Sequence, residues 1–84
     1  MKHHADPDFW QLFDALPKKV QKLARKNFVL LKSNPKHPSL HFKPVGQYWS
    51  VRVGLDHRAL ADEARDALLW FWIGTHKDYE KLIK

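Results

Sequence analysis

Arg52 and Arg58 flank the stretch Gly54, Leu55 and Asp56 in the segment YWSVRVGLDHR. Trp49, Val51 and Val53 alternate with Tyr48, Ser50 and Arg52, the pattern of a strand with one apolar face and one polar face carrying a cation. After the turn the chain resumes at Arg58, Ala59, Leu60 and Ala61, which predicts a hairpin with two guanidiniums near its closed end. If Gly54 takes a positive φ in a three-residue loop, Val53 pairs with His57 and Arg52 lies opposite Arg58; a two-residue loop instead puts Arg52 opposite Ala59. Like charges directly opposite each other cost stability, so the first register calls for a bound phosphate or carboxylate. The competing arrangement sends one arginine to solvent and pairs the other with Asp56 or Asp62.

The elements that must hold this hairpin are legible on either side of it. Asp6 offers an N-cap and Pro7 a first helical residue, and Phe9, Trp10, Leu12, Phe13 and Leu16 give a short helix with a broad apolar face. Leu16 and Pro17 break it. A second helix over 17–33 buries Val20, Leu23, Ala24, Phe28 and Leu31 and turns Lys18, Lys19, Lys22, Arg25 and Lys26 outward. Asn34, Pro35 and Pro38 stop it, and Leu40 and Phe42 alternate with His41 and Lys43 as a short strand ended by Pro44. The cluster Asp62, Glu63, Arg65 and Asp66 predicts a second reversal. Ala67 to Ile73, ALLWFWI, is apolar on both parities and reads as an interior strand covered on both faces. Gly74 ends it, and Thr75 with Asp78 opens a last short helix. Met1 to Ala5, with His3 and His4, reads as a frayed end.

The order predicts an α+β fold: an N-terminal helical hairpin packed on a mostly antiparallel sheet of about four strands, with a short C-terminal helix. One sheet face takes the helical hairpin. The other stays partly open, and Lys43, Arg52 and the start of the last helix converge there.

Eighty-four residues with 44% hydrophobic content, including four Trp, five Phe and two Tyr, make a single globular domain over 1–84. With no cysteine, disulfides, thiolate chemistry and Cys-based zinc sites are excluded, which fits a reducing compartment. His37 and His41 are spaced like metal ligands, but Pro38 between them prevents a helix from aligning them, so no metal or other cofactor is expected. No apolar run is long enough for a membrane span and no signal-peptide core is present, so a cytoplasmic location is expected. The formal charge is +6. It is unevenly spread: no carboxylate falls between Asp14 and Asp56, whereas nine Lys and Arg residues do. Such a field draws in RNA, DNA or an acidic protein. A basic helix face alone is more often only a solvated surface.

The Leu-Pro turn before a basic helix, followed by HPSLHFKPVG (37–46), WSVRVGLDHRAL (49–60) and WFWIGTHKDYEKL (70–82), resembles RelE/ParE-type toxins of bacterial toxin-antitoxin modules from about Phe9 to Ile83. The resemblance implies a neutralising antitoxin, expected to be acidic, and either ribosome-dependent mRNA cleavage or inhibition of DNA gyrase. It matches Lys43, Arg52 and Arg58 to the basic residues of the RNA-cleaving branch, His76 to a basic or imidazole position after the last strand, and Tyr79 to a C-terminal Tyr. Lys77 stands where several relatives carry Arg.

RNA is cut without a metal when its own 2′-hydroxyl attacks the neighbouring phosphate, which calls for nucleotide positioning, proton transfer and charge stabilisation. On that scheme Arg52 and Arg58 hold the phosphate, Lys43 stabilises charge, His76 transfers protons, and Tyr79 stacks on a base or holds His76. Lys18, Lys19, Lys22, Arg25, Lys26 and Lys77 would carry the electrostatic contact with nucleic acid. Each residue has a plain structural reading as well: His76 as an exposed capping residue, Tyr79 as an anchor, Lys43 as edge protection, and Trp49, Trp70 and Trp72 as core. A non-toxic module that docks an acidic partner through the same face is a third alternative.

Overall fold

The computed structural model describes residues 2–83. In chain order it contains β1 (Lys2–Ala5), α1 (Pro7–Asp14), α2 (Lys18–Ser33), a 3-10 turn (Pro38–Leu40), β2 (Lys43–Val45), β3 (Tyr48–Val53), β4 (His57–Ala64), β5 (Ala67–Thr75) and α3 (His76–Ile83). The α+β architecture is as the periodicity predicts, but the sheet has five strands in the order β1-β5-β4-β3-β2.

The additional strand is the one expected to fray. Lys2–Ala5 pairs in parallel with the first half of β5, Lys2 against Ala67 and Ala5 against Trp70. Trp70 Nε1 donates to His3 Nδ1 at 3.1 Å, and the two rings stack with centroids 6.2 Å apart. Phe28 of α2 meets His3 edge-on at 5.6 Å. Asp6 then turns the chain, its N–H donating to the Trp70 carbonyl and its Oδ1 accepting from Phe9 N at 2.9 Å as the N-cap of α1. The cap therefore ties the first helix directly to the sheet.

Three other boundaries differ from expectation. Pro38 begins a 3-10 turn, so the edge strand starts at Lys43 rather than Leu40. Asp62 and Glu63 continue β4, and the reversal is the two-residue loop Arg65-Asp66 with Arg65 at φ 57°. Glu63 is held in the strand by Trp49 Nε1, which donates to its Oε1 at 2.7 Å. In β5 only one face is fully buried, because the pairing with β4 slips between Leu60 and Ala61. Trp72 faces Leu60 and Trp70 faces Ala61, leaving Phe71 as the extra residue of a β-bulge.

The two helices cover the face carrying Val51, Val53, Ala59, Ala61, Leu68, Trp70 and Ile73, with Phe13 and Leu31 closing the core from above. Removing one such large side chain from water is worth about 1.5–3 kcal/mol. Asn27 Nδ2 donates to the Arg52 carbonyl at 3.1 Å, fixing α2 against the central hairpin. On the opposite face Leu60 and Tyr79 are buried where α3 folds back on β4 and β5. Among the described residues no helix is long and apolar enough to cross a membrane.

Candidate functional site

Gly54 adopts φ 66°, the loop is three residues long, and Arg52 pairs with Arg58 while Val53 pairs with His57. Both guanidiniums therefore leave the sheet on the face away from α1 and α2. Lys43 pairs with Ser50 on the same face, one row along. Continuing that antiparallel register past the end of β2 brings His41 beside Arg52, and Arg52 Nη1 lies 3.2 Å from His41 Nε2. Across β4, the partner of Arg58 is Gly74. The transverse row is thus His41, Arg52, Arg58 and Gly74, with Lys43 beside it.

The two arginines are held differently. Arg58 Nη1 donates to the carbonyls of His57 at 2.7 Å, Leu55 at 3.3 Å and Gly54 at 3.4 Å, so the turn itself fixes the side chain. Those bonds engage a single nitrogen of the fork, which leaves the rest of it for an anion. Burial, and then the Arg52 charge, pull the Arg58 guanidinium below its ordinary value, while Tyr79 and Asp56 act in the opposite sense. Arg52 Nε is a buried donor with no acceptor among the described residues. Neither arginine forms an ion pair with Asp56 or Asp62, so the arrangement in which carboxylates neutralise the pair is absent from the described structure. Two cations face each other with a donor unsatisfied, which is the geometry an oxyanion relieves.

The start of α3 abuts the same turn. His76 N donates to the Asp56 carbonyl at 2.7 Å, and Thr75 Oγ1 accepts from Asp78 N at 3.2 Å as the helix cap. The His76 ring stacks on Tyr79 at 5.9 Å, and its Nδ1 lies 3.1 Å from Glu80 Oε1. With Nδ1–H directed at Glu80, Nε2 is the nitrogen left to accept a proton. The His76 side chain is 43% exposed, whereas Tyr79 is 6% exposed. Tyr79 is therefore placed to hold His76 rather than to offer an open ring. Lys77 is exposed on α3 beside His76.

The basic face of α2 is elsewhere. Lys18, Lys19, Lys22, Arg25 and Lys26 are exposed on a helix that packs on the other side of the sheet, so they do not join the arginine row. Strand parity thus puts the two cation sets on opposite faces of the sheet, the arrangement expected for the helical hairpin on one face and Lys43 and Arg52 on the other. The sequence reading passed over Glu80, although His76 and Glu80 stand four apart on a helix, and it weighed His41 only as a metal ligand and Trp72 as core. On the helical side α1 leans on β5 and α2 on β3, leaving an apolar groove of about 270 Å³ lined by Phe9, Trp10, Phe13, Phe28, Val51 and Ile73, with Arg25 at its wall. Trp10 and Phe28 are 44% and 39% exposed there.

A mostly antiparallel five-stranded sheet flanked by helices is the RelE-like fold. The chain is similar to YafQ from E. coli strain BL21(DE3), with a TM-score of 0.73, 15% identity, and coverage of 93% of this chain and 96% of that one. It is similar also to the RelB-RelE antitoxin-toxin complex from Methanococcus jannaschii, with a TM-score of 0.72, 15% identity, and coverage of 96% and 99%. A YoeB/ParE toxin from Agrobacterium tumefaciens matches with a TM-score of 0.67, 16% identity, and coverage of 90% and 99%. Comparison with curated protein sequences gives no significant match. The model of the ParE-like toxin domain matches residues 18–81, and the chain belongs to that family of toxins from toxin-antitoxin systems.

Proposed function

We propose that this toxin is a metal-independent endoribonuclease that cuts mRNA on the ribosome and so inhibits translation. The observation that carries the reading is the Arg52–Arg58 cross-strand pair, left without a carboxylate and with Arg52 Nε unsatisfied among the described residues. Arg52 and Arg58 hold the scissile phosphate, and Lys43 adds positive charge as a fifth ligand oxygen develops on phosphorus. The 2′-oxygen attacks phosphorus, the bond from phosphorus to the 5′-oxygen breaks, and a 2′,3′-cyclic phosphate and a 5′-hydroxyl result. His76 Nε2 exchanges protons with the reacting oxygens, while Glu80 fixes its tautomer and Tyr79 its ring plane.

Lys77 and the lysines of α2 contribute attraction to polyanion rather than chemistry. The partner that silences the toxin is an acidic antitoxin: the apolar groove between α1, α2 and the sheet suits an amphipathic segment, and the cations around it suit negative charge. Cleavage of mRNA under translation would take place in the cytoplasm, and we propose that location.

The test is induced expression followed by mapping of transcript ends. Wild type should produce cuts within translated codons. His76→Ala should lower cleavage by about 100- to 10,000-fold, the usual contribution of acid-base catalysis, and Arg58→Ala should abolish it, with both variants folded. Persistent cleavage in both variants would overturn the assignment. Membership of the ParE-like family supports a second reading, inhibition of DNA gyrase. On that reading His76→Ala leaves growth inhibition unchanged, messages stay intact, and plasmid DNA is relaxed.

A further inference from the structure

The bulge in β5 gives the open face more than cations. Trp72 faces Leu60 and therefore shares the face of Ser50 and Arg52. Phe71, the extra residue, reaches the same side, because its ring lies 5.2 Å from that of Tyr48 on β3, across the intervening β4. Without the slip at Leu60/Ala61, alternation would have sent either Phe71 or Trp72 into the core beneath the helices. Tyr48, Phe71 and Trp72 are all half-buried rather than enclosed. Trp72 lies in the row Lys43, Ser50, Leu60 directly beside the row His41, Arg52, Arg58, and Tyr48 lies one row further out with the Phe71 ring against it.

Gly74 sets the tilt of the indole. A Cβ at position 74 would lie 2.6 Å from Trp72 Cζ2 and 2.9 Å from Cη2, so the six-membered ring of Trp72 rests on the glycine backbone, next to the strand position of Arg58. Any side chain at 74 would lift the ring away from that position. A small residue beneath an indole, flush with an uncompensated guanidinium pair, places a flat apolar surface one strand away from an anion site.

We propose that Tyr48, Phe71 and Trp72 form a stacking platform for the bases of a single-stranded RNA whose phosphate is held by Arg52 and Arg58, with Trp72 taking the base next to that phosphate. The inference rests on the nucleic-acid reading given above and adds to it the residues that grip the bases. Charge decides the occupant: the cations Lys43, Arg52 and Arg58 lie on the Trp72 side of the platform, and Asp62, paired with Leu69 on the same face, lies in the row of Tyr48. A nucleic-acid backbone is drawn to the cations and its bases fall on the rings. Double-stranded RNA is excluded, because paired bases present no open face to stack.

The test titrates the purified protein at low salt with a single-stranded hexanucleotide and with its abasic counterpart of equal charge. The hexanucleotide should bind more tightly and quench tryptophan fluorescence. Trp72→Leu should weaken it by about 5- to 150-fold, the range of one base-aromatic stack, while leaving the abasic oligomer unchanged. Trp72→Phe should retain most of the affinity and lose the quenching. Gly74→Ala should fall between the two. Arg58→Ala should weaken both oligomers alike. Equal binding of the two oligomers, or an unaltered Trp72→Leu, would overturn the platform and leave the nuclease reading standing. Failure of both oligomers to bind wild type would overturn the platform, while the mapping of transcript ends tests the nuclease reading separately. A Trp72→Leu variant that alters only self-association, measured by sedimentation, would assign the face to a second copy and overturn the proposal as well.

Discussion

His3 shows how one side chain can bind a strand to a fold. Burial first, and then neighbouring positive charge that includes Lys32, hold its imidazole below the ordinary value of about 6.5. In the neutral form Nδ1 accepts from Trp70 Nε1. Protonation at Nδ1 removes that acceptor. Because the folded state binds the proton less readily than the unfolded chain, the contribution is fully present above the ordinary value and is lost as pH falls from there toward the lowered one. Chemical denaturation at a series of pH values should show that loss, about 0.5–1.5 kcal/mol for a neutral hydrogen bond, and His3→Gln should flatten it. The same scale governs what could be read from sequence. Arg52 and Arg58 announced themselves, since cations around a glycine turn have few interpretations. His3 did not, because its partner is a tryptophan that neighbours it in the sheet but lies 67 positions away in sequence.

At the scale of elements, the hairpin of β3 and β4 follows from one residue. Gly54 at φ 66° permits the three-residue loop, and a Cβ there would also lie 2.7 Å from Leu23 Cδ2 on α2. Gly54→Ala should therefore cost about 1–2 kcal/mol for the left-handed backbone, read as a lowered denaturation midpoint, while Leu23 shifts to make room. It should also disturb the Arg58 side chain, whose anchors are the carbonyls of that loop. The turn, both long helices and the central strands were legible because each combines a period with a stop signal. Two elements were not. Four residues with two histidines carry no period that predicts β1, and a run that is apolar on both parities hides the bulge, since any of its residues could be the extra one. The site was therefore half visible: its cations by type, its aromatic border only by register.

Across the whole molecule the sheet divides the positive charge into two fields facing opposite ways. If the proposed site is right, a short single-stranded oligonucleotide on the arginine face should meet Lys43, Arg52 and Arg58, and three such contacts predict a slope of log affinity against log salt of about −2. Reversing the charge of Lys18, Lys19 and Lys22 together should leave that slope unchanged, because those residues lie on the helical layer. The same triple variant should weaken association with whole ribosomes, measured by co-sedimentation over a salt series. Equal loss in both assays would mean that the two fields act as one. The helical layer also carries the apolar groove, so a protein partner seated there leaves the arginine face uncovered unless a further segment crosses the sheet edge.

The parallel pairing of residues 2–5 with residues 67–70 has a consequence for biosynthesis. A ribosome delivers the first of these segments long before the second, and no nascent chain that stops short of Ala67 contains both sides of that ladder. The strand that receives it also carries Trp72 and Gly74 and leads into His76. A nascent polypeptide short of that strand thus lacks the partner of its first segment and His76 at the same time, and the two are made in close succession. The ladder that docks the outer strand and the histidine of the candidate site are therefore completed within one stretch of synthesis.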